Sequence, residues 1–373
     1  MKKRFGIVSC NLYCNFMNYG SILQSWALSQ AVERLGNGKW QAVLVDYCPN
    51  VLLDRNPLSP VEYMWDADPE SRRQCELSLP AIRENYYRLM DFCTGHFDKT
   101  KKYTAETFSK IEVDEQFDGF LCGSDTIFCI DEFGFDDGYY AEYPVMKDGY
   151  AVSYAASFGD AQFDENTYEI LNSRLGNFKA IGLRERKYLD YVQSHTAVPA
   201  HMTVDPTLLL GAEDYEEITS GRLIREKYLL LYSRRYNPQM ERFAEEFAAE
   251  NGWEIVEISL RASNASKHRM FYEAGIEEFL SLIKYAEFVV TNSYHGMIFS
   301  VQFTRPFYIF SRAQCDTKIS ELLGLFSLTD RLCVSGQKVP IVPVDYHTVH
   351  TRIQLAREGS LRFLKKALEK CGT

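Results

Sequence analysis

The sequence predicts an α/β fold in which two Rossmann-like domains face each other across a cleft and a helix closes the chain. Two observations lead to this prediction. Short apolar runs alternate with helical patterns in two separate series, and 373 residues are more than one compact core usually holds. We place the first domain at residues 1–215, with a helical insertion at about 50–116, the second domain at 216–345, and the closing helix at 346–373.

The first series begins with "RFGIV" at 4–8, an apolar run that predicts a buried strand. A helix is expected from about Ser21 to Leu35, because leucine and valine recur there at helical spacing and Gly36 is a natural stop signal. "QAVLVDY" at 41–47 predicts the next strand, and this order of strand, helix and strand is typical of a parallel sheet. "FDGFLCGSD", "GYAVSYAASFG" and "KAIGLRERKYLDYV" then predict strands that end in polar or glycine-containing loops.

The second series follows an acidic loop, "GAEDYEEITSGR", which lacks periodicity and marks the domain boundary. Strands are predicted to alternate with helices at "KYLLLYS" (227–233), "WEIVEIS" (253–259), "FVVT" (288–291) and "FYIFS" (307–311). This order is that of a second doubly wound sheet. In the tail, leucines at helical spacing predict the closing helix.

Composition excludes several classes of protein. The chain is 46% hydrophobic and 25% charged, which is typical of a globular protein and not of a disordered one. Its formal net charge of −10 argues against nucleic acid or an anionic membrane as a partner. No apolar stretch is long enough to span a bilayer, and the first residues run into a strand pattern instead of a cleavable signal. We therefore expect a cytoplasmic protein.

The cysteines predict neither disulfides nor a metal site. Ten cysteines are scattered without a C-x-x-C pair, which is typical of a reducing compartment. Cys10 and Cys14 lie four residues apart, but four zinc ligands do not assemble around them. We expect no metal and no organic cofactor.

Four loops at predicted strand ends should converge on the cleft, which is where open α/β sheets place their ligands. In "NYGS", Gly20 permits close approach to the backbone, and the amino end of the next helix favours an anion. Asn18 would either contact that anion or serve as the helix cap. In "GSD", Ser124 and Asp125 follow a strand, and Asp125 either orients a sugar hydroxyl or caps a helix.

Cations follow two further strands. In "GLRERKY", Arg184 and Arg186 are expected to share one face, and an arginine at a strand's carboxyl end suits a carboxylate or a phosphate. A surface pair with Glu185 is the alternative. Arg234 and Arg235 follow the first strand of the second domain in "LYSRRYN". On an acidic chain, cations at strand ends indicate a locally positive cleft that fits a small anionic substrate.

The fourth loop contains His295, in "TNSYHGMIFS", between a predicted strand and a predicted helix. A lone histidine is more often structural than catalytic. Gly296 follows this one directly, and Arg305, Arg312 and Lys318 are close to it in sequence. We therefore favour a functional role for His295, either as a catalyst or as a ligand for an anion.

These strings together resemble the polysaccharide pyruvyl transferase family. "NYGSILQ", "FDGFLCGSD", "SYAASFG", "LRERKYLDYV", "VDPTLLL" and "TNSYHGMIFSVQFTRPF" occur in the family's order, and the match extends from "GIVSCNLYC" to "LFSLTDR". The resemblance implies a fold like that of the glycosyltransferase B enzymes. It also implies an enzyme of a cell-surface or exopolysaccharide pathway that transfers a pyruvyl group from phosphoenolpyruvate to two hydroxyls of a sugar, forming a ketal.

The family's motifs place four functional residues on this chain. The arginine of its L-R-E motif corresponds to Arg184, its motif histidine to His295, the lysine of its D-P-K-like motif to Lys318, and an arginine of the second domain to Arg234. The resemblance associates these positions with the enolpyruvate donor. From the chemistry of the reaction, our hypothesis is that His295 is the acid–base residue, while Arg184 and Lys318 hold the charges of the donor and ease the departure of phosphate. Phosphoenolpyruvate serves as a substrate, so no cofactor is required.

The chain departs from the family's pattern at four positions. Ser293 stands where many relatives have an arginine two residues before the histidine, and Tyr294 occupies the apolar position that follows, while Thr126 and Phe128 replace a glutamine and a tryptophan. Without the family's arginine, Arg235 or Arg312 would have to supply the missing contact to the donor. The same substitution is consistent with altered donor chemistry or with a different acceptor.

Two alternatives remain open. A nucleotide-sugar-dependent glycosyltransferase of the same architecture would need a carboxylate for the ribose, and Glu321 is the candidate. A sugar-binding relative without catalytic activity would also be consistent with Ser293. The partner expected for the pyruvyl transferase is a saccharide acceptor, free or lipid-linked, which the sequence does not identify.

Overall fold

The computed structural model describes residues 2–10, 12–13, 18–64, 66, 68–312, 315–333 and 343–372. They form two parallel sheets whose strands alternate with helices, which confirms the predicted α/β fold of two Rossmann-like units. We call the part that carries the first sheet the first half, and the part that carries the second sheet the second half. Cys14, one of the two cysteines considered as zinc ligands, lies outside the described residues.

The described strands are β1 Lys3–Val8, β2 Trp40–Cys48, β3 Lys99–Thr104, β4 Gly119–Cys122, β5 Ala151–Ala156, β6 Ala180–Leu183, β7 Ala200–Met202, β8 Tyr228–Tyr232, β9 Glu254–Ile258, β10 Arg269–Met270, β11 Phe288–Thr291, β12 Phe307–Phe310 and β13 Leu332–Cys333. The first sheet has the order β3-β2-β1-β4-β5-β6-β7, and the second has the order β10-β9-β8-β11-β12-β13. Each order reverses at its centre, and ligands bind α/β sheets at such switch points.

The described α-helices are α1 Tyr19–Gly36, α2 Pro69–His96, α3 Ile111–Asp114, α4 Ile130–Phe133, α5 Pro144–Lys147, α6 Glu165–Leu175, α7 Leu189–His195, α8 Ala212–Glu216, α9 Pro238–Asn251, α10 Ile276–Lys284, α11 Tyr294–Gln302, α12 Asp316–Phe326 and α13 Tyr346–Glu369. Among the residues that the structure describes, no helix combines the length and the apolar composition that a bilayer crossing requires.

The four strands that the apolar pattern missed all lie at sheet edges. β3 reads KTKKYT, and lysines occupy three of its six positions, so it lacks the apolar run of a buried strand. Charged edges of this kind protect a sheet from unwanted strand pairing. β7, β10 and β13 have three, two and two residues, which are too few to show a period. The helical interpretation of residues 50–116 therefore fails at β3 and holds for α2.

The long helix α2 connects the first half to the second. The side-chain amide of Asn85 donates to the carbonyl of Ala274 at 2.6 Å, and Arg88 forms an ion pair with Glu278 at 2.9 Å. Both partners belong to the segment around α10. The insertion is therefore a strut between the halves and not a loose arm.

The halves also meet along α1. The ring of Tyr19, at the start of α1, stacks on Phe279 of α10 with centroids 4.2 Å apart. Both residues belong to one continuous hydrophobic core that draws side chains from both sheets. Because this core crosses the joint, it holds the amino end of α1 against the second half.

The final helix, α13, returns to the first half. Arg357 donates from Nε to the carbonyl of Leu208 at 2.7 Å, and the backbone N–H of Val204 donates to the hydroxyl of Ser360 at 3.0 Å. Leu364 is fully buried in the core that joins the two halves. These contacts confirm the predicted closing helix.

Candidate functional site

The four loops singled out in the sequence come together at the joint between the halves. The amino end of α1, the turn after β4 and the segment after β6 lie at the carboxyl edge of the first sheet. The turn between β11 and α11 faces them from the second half, where His295 touches Gly20. The site thus combines the switch-point edge of the first sheet with that of the second.

A row of three buried ionisable side chains forms the centre of the site. Arg184 directly follows β6, and its guanidinium lies 2.9 Å from the carboxylate of Asp205. The same carboxylate oxygen lies 3.4 Å from Nε2 of His295, which is in the first turn of α11. All three residues are buried. We call Arg184, Asp205 and His295 the charged row.

Asp205, in the middle of this row, was missed by the sequence reasoning. Its Oδ1 atom accepts hydrogen bonds from the backbone N–H and the hydroxyl of Thr207, at 2.9 and 2.6 Å. Burial would raise the pKa of its carboxyl, but the charges of Arg184 and His295 outweigh burial and hold that pKa well below its usual range. The residue stands in the "VDPTLLL" string after β7, so it carries the same signal as Asp125, a carboxylate beyond a strand's carboxyl end.

Ser124 and Asp125, the two residues predicted from the "GSD" turn, also contact the guanidinium of Arg184. The hydroxyl of Ser124 accepts a hydrogen bond from the guanidinium and donates to the carbonyl of Ala155 at 2.7 Å. Oδ1 of Asp125 lies 3.9 Å from the guanidinium, and Oδ2 accepts a hydrogen bond from Ser21 at 2.7 Å. Ser124 is fully buried and Asp125 nearly so. The charge of Arg184 is therefore already balanced by two carboxylates of the chain.

The ring of His295 lies between the amino ends of two helices. It belongs to the first turn of α11, while its Nδ1 edge lies against Gly20 in the first turn of α1. A Cβ atom at position 20 would come within 1.9 Å of Nδ1, so only glycine leaves room for the ring. In the described part of the chain, Nε2 has no well-formed hydrogen bond. Helix amino ends carry partial positive charge, which favours an anion beside the ring.

Tyr294 lies between two cations. The guanidinium carbon of Arg184 is 5.2 Å and the ammonium of Lys318 is 5.6 Å from the centre of its ring. Lys318, on α12, is buried, yet it has no ion pair with any residue in the described ranges. Burial lowers the pKa of this ammonium, but Cys315 and Asp125 outweigh burial and raise it, so Lys318 stays charged. The tyrosine, noted in the sequence only as a departure, thus stabilises both charges.

Asn18 and Ser293 cap the two helices that meet at His295. Oδ1 of Asn18 accepts a hydrogen bond from the N–H of Gly20 at 3.1 Å, and the hydroxyl of Ser293 accepts one from the N–H of Gly296 at 3.2 Å. These are the N-cap positions of α1 and α11. The capping alternative therefore applies to Asn18, and Ser293 fixes the start of the helix that carries His295.

The three remaining predicted cations lie at the carboxyl edge of the second sheet. Arg234, Arg235 and Arg312 are each partly exposed. The buried side chain of Asn292 accepts from the N–H of Arg234 at 2.8 Å and donates to the carbonyl of Arg235 at 2.7 Å, which ties their loop to the turn before His295. Burial lowers the pKa of Arg235, and the nearby charge of Arg312 adds to this effect. Sequence reasoning gave Asn292 no role, since an asparagine after a strand has no pattern of its own.

Two expectations about the neighbours of Arg184 are wrong. β6 ends at Leu183, so Arg184 and Arg186 do not share a strand face, and Arg184 is buried whereas Arg186 is exposed. Glu185 is buried as well, so it is not the surface partner of an arginine. It accepts a hydrogen bond from Ser157 instead.

Two residues considered for the site are engaged elsewhere. Arg305 follows the carboxyl end of α11 and donates to the carbonyl of Phe303 at 3.0 Å, away from the joint. Glu321, the candidate for a ribose contact, accepts hydrogen bonds from the backbone N–H groups of Arg186 at 2.6 Å and Lys187 at 3.2 Å. Its carboxylate therefore links α12 to the first half.

The chemistry of the joint suits a small anion and proton transfer. It offers a charged lysine that has no ion pair with the residues the structure describes, two helix amino ends and an imidazole beside an ionised carboxylate. Within the ranges described, no group of three or more carboxylate, imidazole or thiol side chains is arranged to hold a metal ion.

A family model described as polysaccharide pyruvyl transferase matches residues 18–314 of the chain, which confirms the resemblance seen in the motifs. The matched range contains the charged row and both helix caps. Lys318 lies beyond it, so the assignment of Lys318 depends on its local motif and on its position in the site. No curated protein matches the chain in sequence.

Solved structures are similar to the chain in fold. The UDP-N-acetylglucosamine 2-epimerase of Rickettsia bellii is 13% identical, with a TM-score of 0.55 over 100% of this chain and 97% of its own. The 2-epimerase of Methanocaldococcus jannaschii gives 11% identity and a TM-score of 0.48 over 95% and 92% of the two chains. The E. coli ADP-heptose heptosyltransferase II is 10% identical, with a TM-score of 0.40 over 96% of this chain and 99% of its own. The first of these likenesses extends over the whole chain and supports the two-domain, glycosyltransferase B-like architecture.

Proposed function

The chain belongs to the polysaccharide pyruvyl transferase family, and on this basis we propose that it transfers a pyruvyl group from phosphoenolpyruvate to two hydroxyls of a saccharide, forming a ketal. One observation carries the proposal. The charged row and Lys318 place an imidazole and a buried ammonium together at the joint between the halves. Such a pair can hold an anionic donor and move a proton to it.

The donor carries a phosphate and a carboxylate, so its site must supply positive charge. Lys318 is the main candidate, because its ammonium is buried and charged but has no ion pair within the described ranges. The amino ends of α1 and α11 add partial positive charge. Arg312 is our candidate to replace the arginine that the family has at position 293, because its charge acts on Lys318.

Arg184 has a different part in this proposal from the donor contact that the family motif implies. Its guanidinium already pairs with Asp205 and lies near Asp125, so little of its charge is left for a ligand. We assign it the role of holding Asp205, which in turn faces His295. Arg184 is therefore a positioning residue, and His295 is the catalytic one.

The transfer forms two C–O bonds at C2 of the donor and breaks the bond between C2 and the phosphate oxygen. One hydroxyl proton of the acceptor goes to C3, which becomes a methyl group, and the other leaves with the phosphate as hydrogen phosphate. His295 can take a proton from an acceptor hydroxyl and pass it to C3, because imidazole exchanges protons near neutral pH. Asp205, 3.4 Å away, would stabilise the ring while it is protonated.

Thermal unfolding with added ligands tests the donor. Phosphoenolpyruvate should raise Tm, because a ligand of the native state at a hundred times Kd adds about 2.7 kcal/mol of stability. Pyruvate, which lacks the phosphate, is the matched control and should have less effect. A rise in Tm with UDP-N-acetylglucosamine and none with phosphoenolpyruvate would instead favour a nucleotide-sugar glycosyltransferase.

Product analysis separates an enzyme from a binding protein. With phosphoenolpyruvate and a mixture of cell-surface saccharides, the wild type should release phosphate and form a product whose ketal methyl group appears in the proton NMR spectrum. Binding of phosphoenolpyruvate without either product would identify a sugar-binding relative that has lost catalysis.

A further inference from the structure

A cavity lies in the first half, outside the charged row. Its volume is about 220 Å³, below the roughly 300–1,000 Å³ of pockets that enclose a drug-sized ligand. It lies beside the end of β2, the segment after β3 and the segment after β4, and its lining includes Tyr47, Asn50, Phe133, Phe135, Asp136 and Tyr143. Since these segments all lie at strand ends of the first sheet, the cavity shares the carboxyl edge that carries Asp125.

The lining combines aromatic rings with a carboxylate that is fixed in place. Asp136 accepts hydrogen bonds from the N–H groups of Gly138 and Tyr139, at 3.0 and 3.1 Å, and from the hydroxyl of Tyr47 at 3.0 Å. A carboxylate has about four acceptor sites, so Asp136 keeps capacity for one more hydroxyl. The hydroxyl of Tyr143, 3.4 Å from that of Tyr47, adds a second polar group.

This chemistry fits a neutral sugar ring better than an anion. The lining formed by the described residues has a second carboxylate, Asp137, which pairs with Arg174 at 2.7 Å, and it contains no lysine or arginine of its own. A phosphate or carboxylate would therefore meet two carboxylates without a lysine or arginine in the lining to compensate. A pyranose has hydroxyls that can donate to a carboxylate and an apolar face of C–H groups that can pack on an aromatic ring. The lining of the cavity is therefore acidic, whereas the proposed donor site is cationic.

A short helix, α4, connects the cavity with the proposed donor site. Phe133 at its end lines the cavity, while the preceding Glu132 accepts a hydrogen bond at 2.9 Å from Thr126, the residue after Asp125. Desolvation raises the pKa of Glu132, and the nearby charge of Lys318 opposes that rise. The two sites are therefore neighbours along one edge of the first sheet.

We propose that this cavity binds one sugar ring of the acceptor saccharide, next to the ring that receives the pyruvyl group. That the bound sugar belongs to the acceptor rests on the proposed function, whereas sugar binding itself rests on the lining of the cavity alone. On this proposal the acceptor has at least two sugar units, one in the cavity and one at the donor site. The cavity would then select extended acceptors.

Saturation-transfer NMR with the methyl glycosides of glucose, galactose, mannose and N-acetylglucosamine tests the subsite. The wild type should bind at least one of them, with the strongest transfer to ring C–H protons. Asp136→Asn and Tyr143→Phe should each weaken that binding about tenfold, because each removes a hydrogen bond to the sugar. Asp190→Asn, at an exposed position on α7, is the matched control and should bind like the wild type.

No saturation transfer to any glycoside, or equal affinity in the wild type and both variants, overturns the proposal. Tyr143→Phe removes only a hydroxyl, so it keeps the test valid if Asp136→Asn does not fold. The thermal response to phosphoenolpyruvate, measured on the same variants, should be retained. Sugar binding that depends on Asp136 in a protein without that response would support the subsite and refute the donor assignment alone.

Discussion

Two buried histidines of the second half, His268 and His295, each lie beside a carboxylate, yet their surroundings differ. Nδ1 of His268 is 2.5 Å from Glu257, and the same carboxylate accepts hydrogen bonds from Ser259 at 2.5 Å and Asn264 at 3.1 Å. All of these residues belong to the short stretch from β9 to β10. Two glutamates of α9 complete this closed network, which lies within one half of the molecule.

The partners of His295 come from the other half. Its carboxylate neighbour, Asp205, is at 3.4 Å, and its Nδ1 edge lies against Gly20 across the joint. Burial beside a carboxylate therefore does not distinguish a functional histidine from a structural one. Under the proposed function, what sets His295 apart is that its ring lies at the junction of the two halves and is incompletely paired among the described residues, so that a ligand would complete its contacts.

The comparison predicts the largest effect at His295. His295→Ala should reduce turnover by about 10²–10⁴-fold, the usual contribution of a general acid–base group. Its free energy of unfolding should fall by only about 1 kcal/mol, because Nε2 has no well-formed hydrogen bond to the described residues that could be lost. Phosphate release and urea unfolding measure the two quantities. Near-normal turnover in this variant would remove His295 from the mechanism.

The next largest effect is expected at Asp205, the middle residue of the charged row, and it is a loss of stability. Asp205→Asn should lower the free energy of unfolding by about 3–5 kcal/mol, because it leaves the guanidinium of Arg184 buried without its closest carboxylate. Urea denaturation measures the change, and Asp190→Asn at an exposed site should stay within about 0.5 kcal/mol of the wild type. Equal stability of the two variants would mean that the charged row does not support the fold.

Low pH should destabilise the wild type by protonating the carboxylate of Asp205. The folded-state pKa of Asp205 is lower than the unfolded value of about 3.9, so its contribution to stability is present above that value and is lost as the pH falls through the folded-state pKa. Wild-type Tm should therefore decline as the pH drops below about 4, and Asp205→Asn should decline less steeply. Parallel curves for the two proteins, measured between about pH 6 and pH 3, would contradict this assignment.

Replacing His268 should lower stability and leave turnover unchanged, which is the opposite of the pattern expected at His295. His268→Ala should lower the free energy of unfolding by about 1–3 kcal/mol, because it takes a partner from the buried carboxylate of Glu257. Turnover should be unchanged, since the network is closed and lies away from the joint. A large loss of activity without a loss of stability would erase the distinction between the two histidines.

Most of the fold could be predicted because buried parallel strands read as continuous apolar runs. This signal identified the nine inner strands and the alternation that defines the two sheets. It could not find β3, whose lysines suit an exposed edge, or the edge strands of two or three residues. The role of α2 as a strut was equally hidden, because its contacts with Ala274 and Glu278 depend on how the halves pack.

The site could be predicted in outline for a related reason. The carboxyl ends of parallel strands share one edge of a sheet, so the loops that contain Asp125 and Arg184 had to lie close together. His295 follows a strand of the second sheet, and it was expected opposite them only because the two sheets were predicted to face each other across a cleft. Sequence could not show that Arg184 is balanced by Asp205, because that pairing depends on how the segment after β7 folds back. It also could not separate the capping role of Ser293 from a ligand contact.

Isothermal titration with phosphoenolpyruvate tests the central claim, that the joint between the halves is a donor site, most directly. The wild type should bind, and Lys318→Met should bind about 10- to 100-fold more weakly, because it removes the one buried ammonium expected to contact the donor. Lys267→Met, which removes a lysine paired with Glu241 at 3.0 Å in the closed network, should bind like the wild type. Equal binding by all three proteins, or no heat of binding from the wild type, would contradict the assignment.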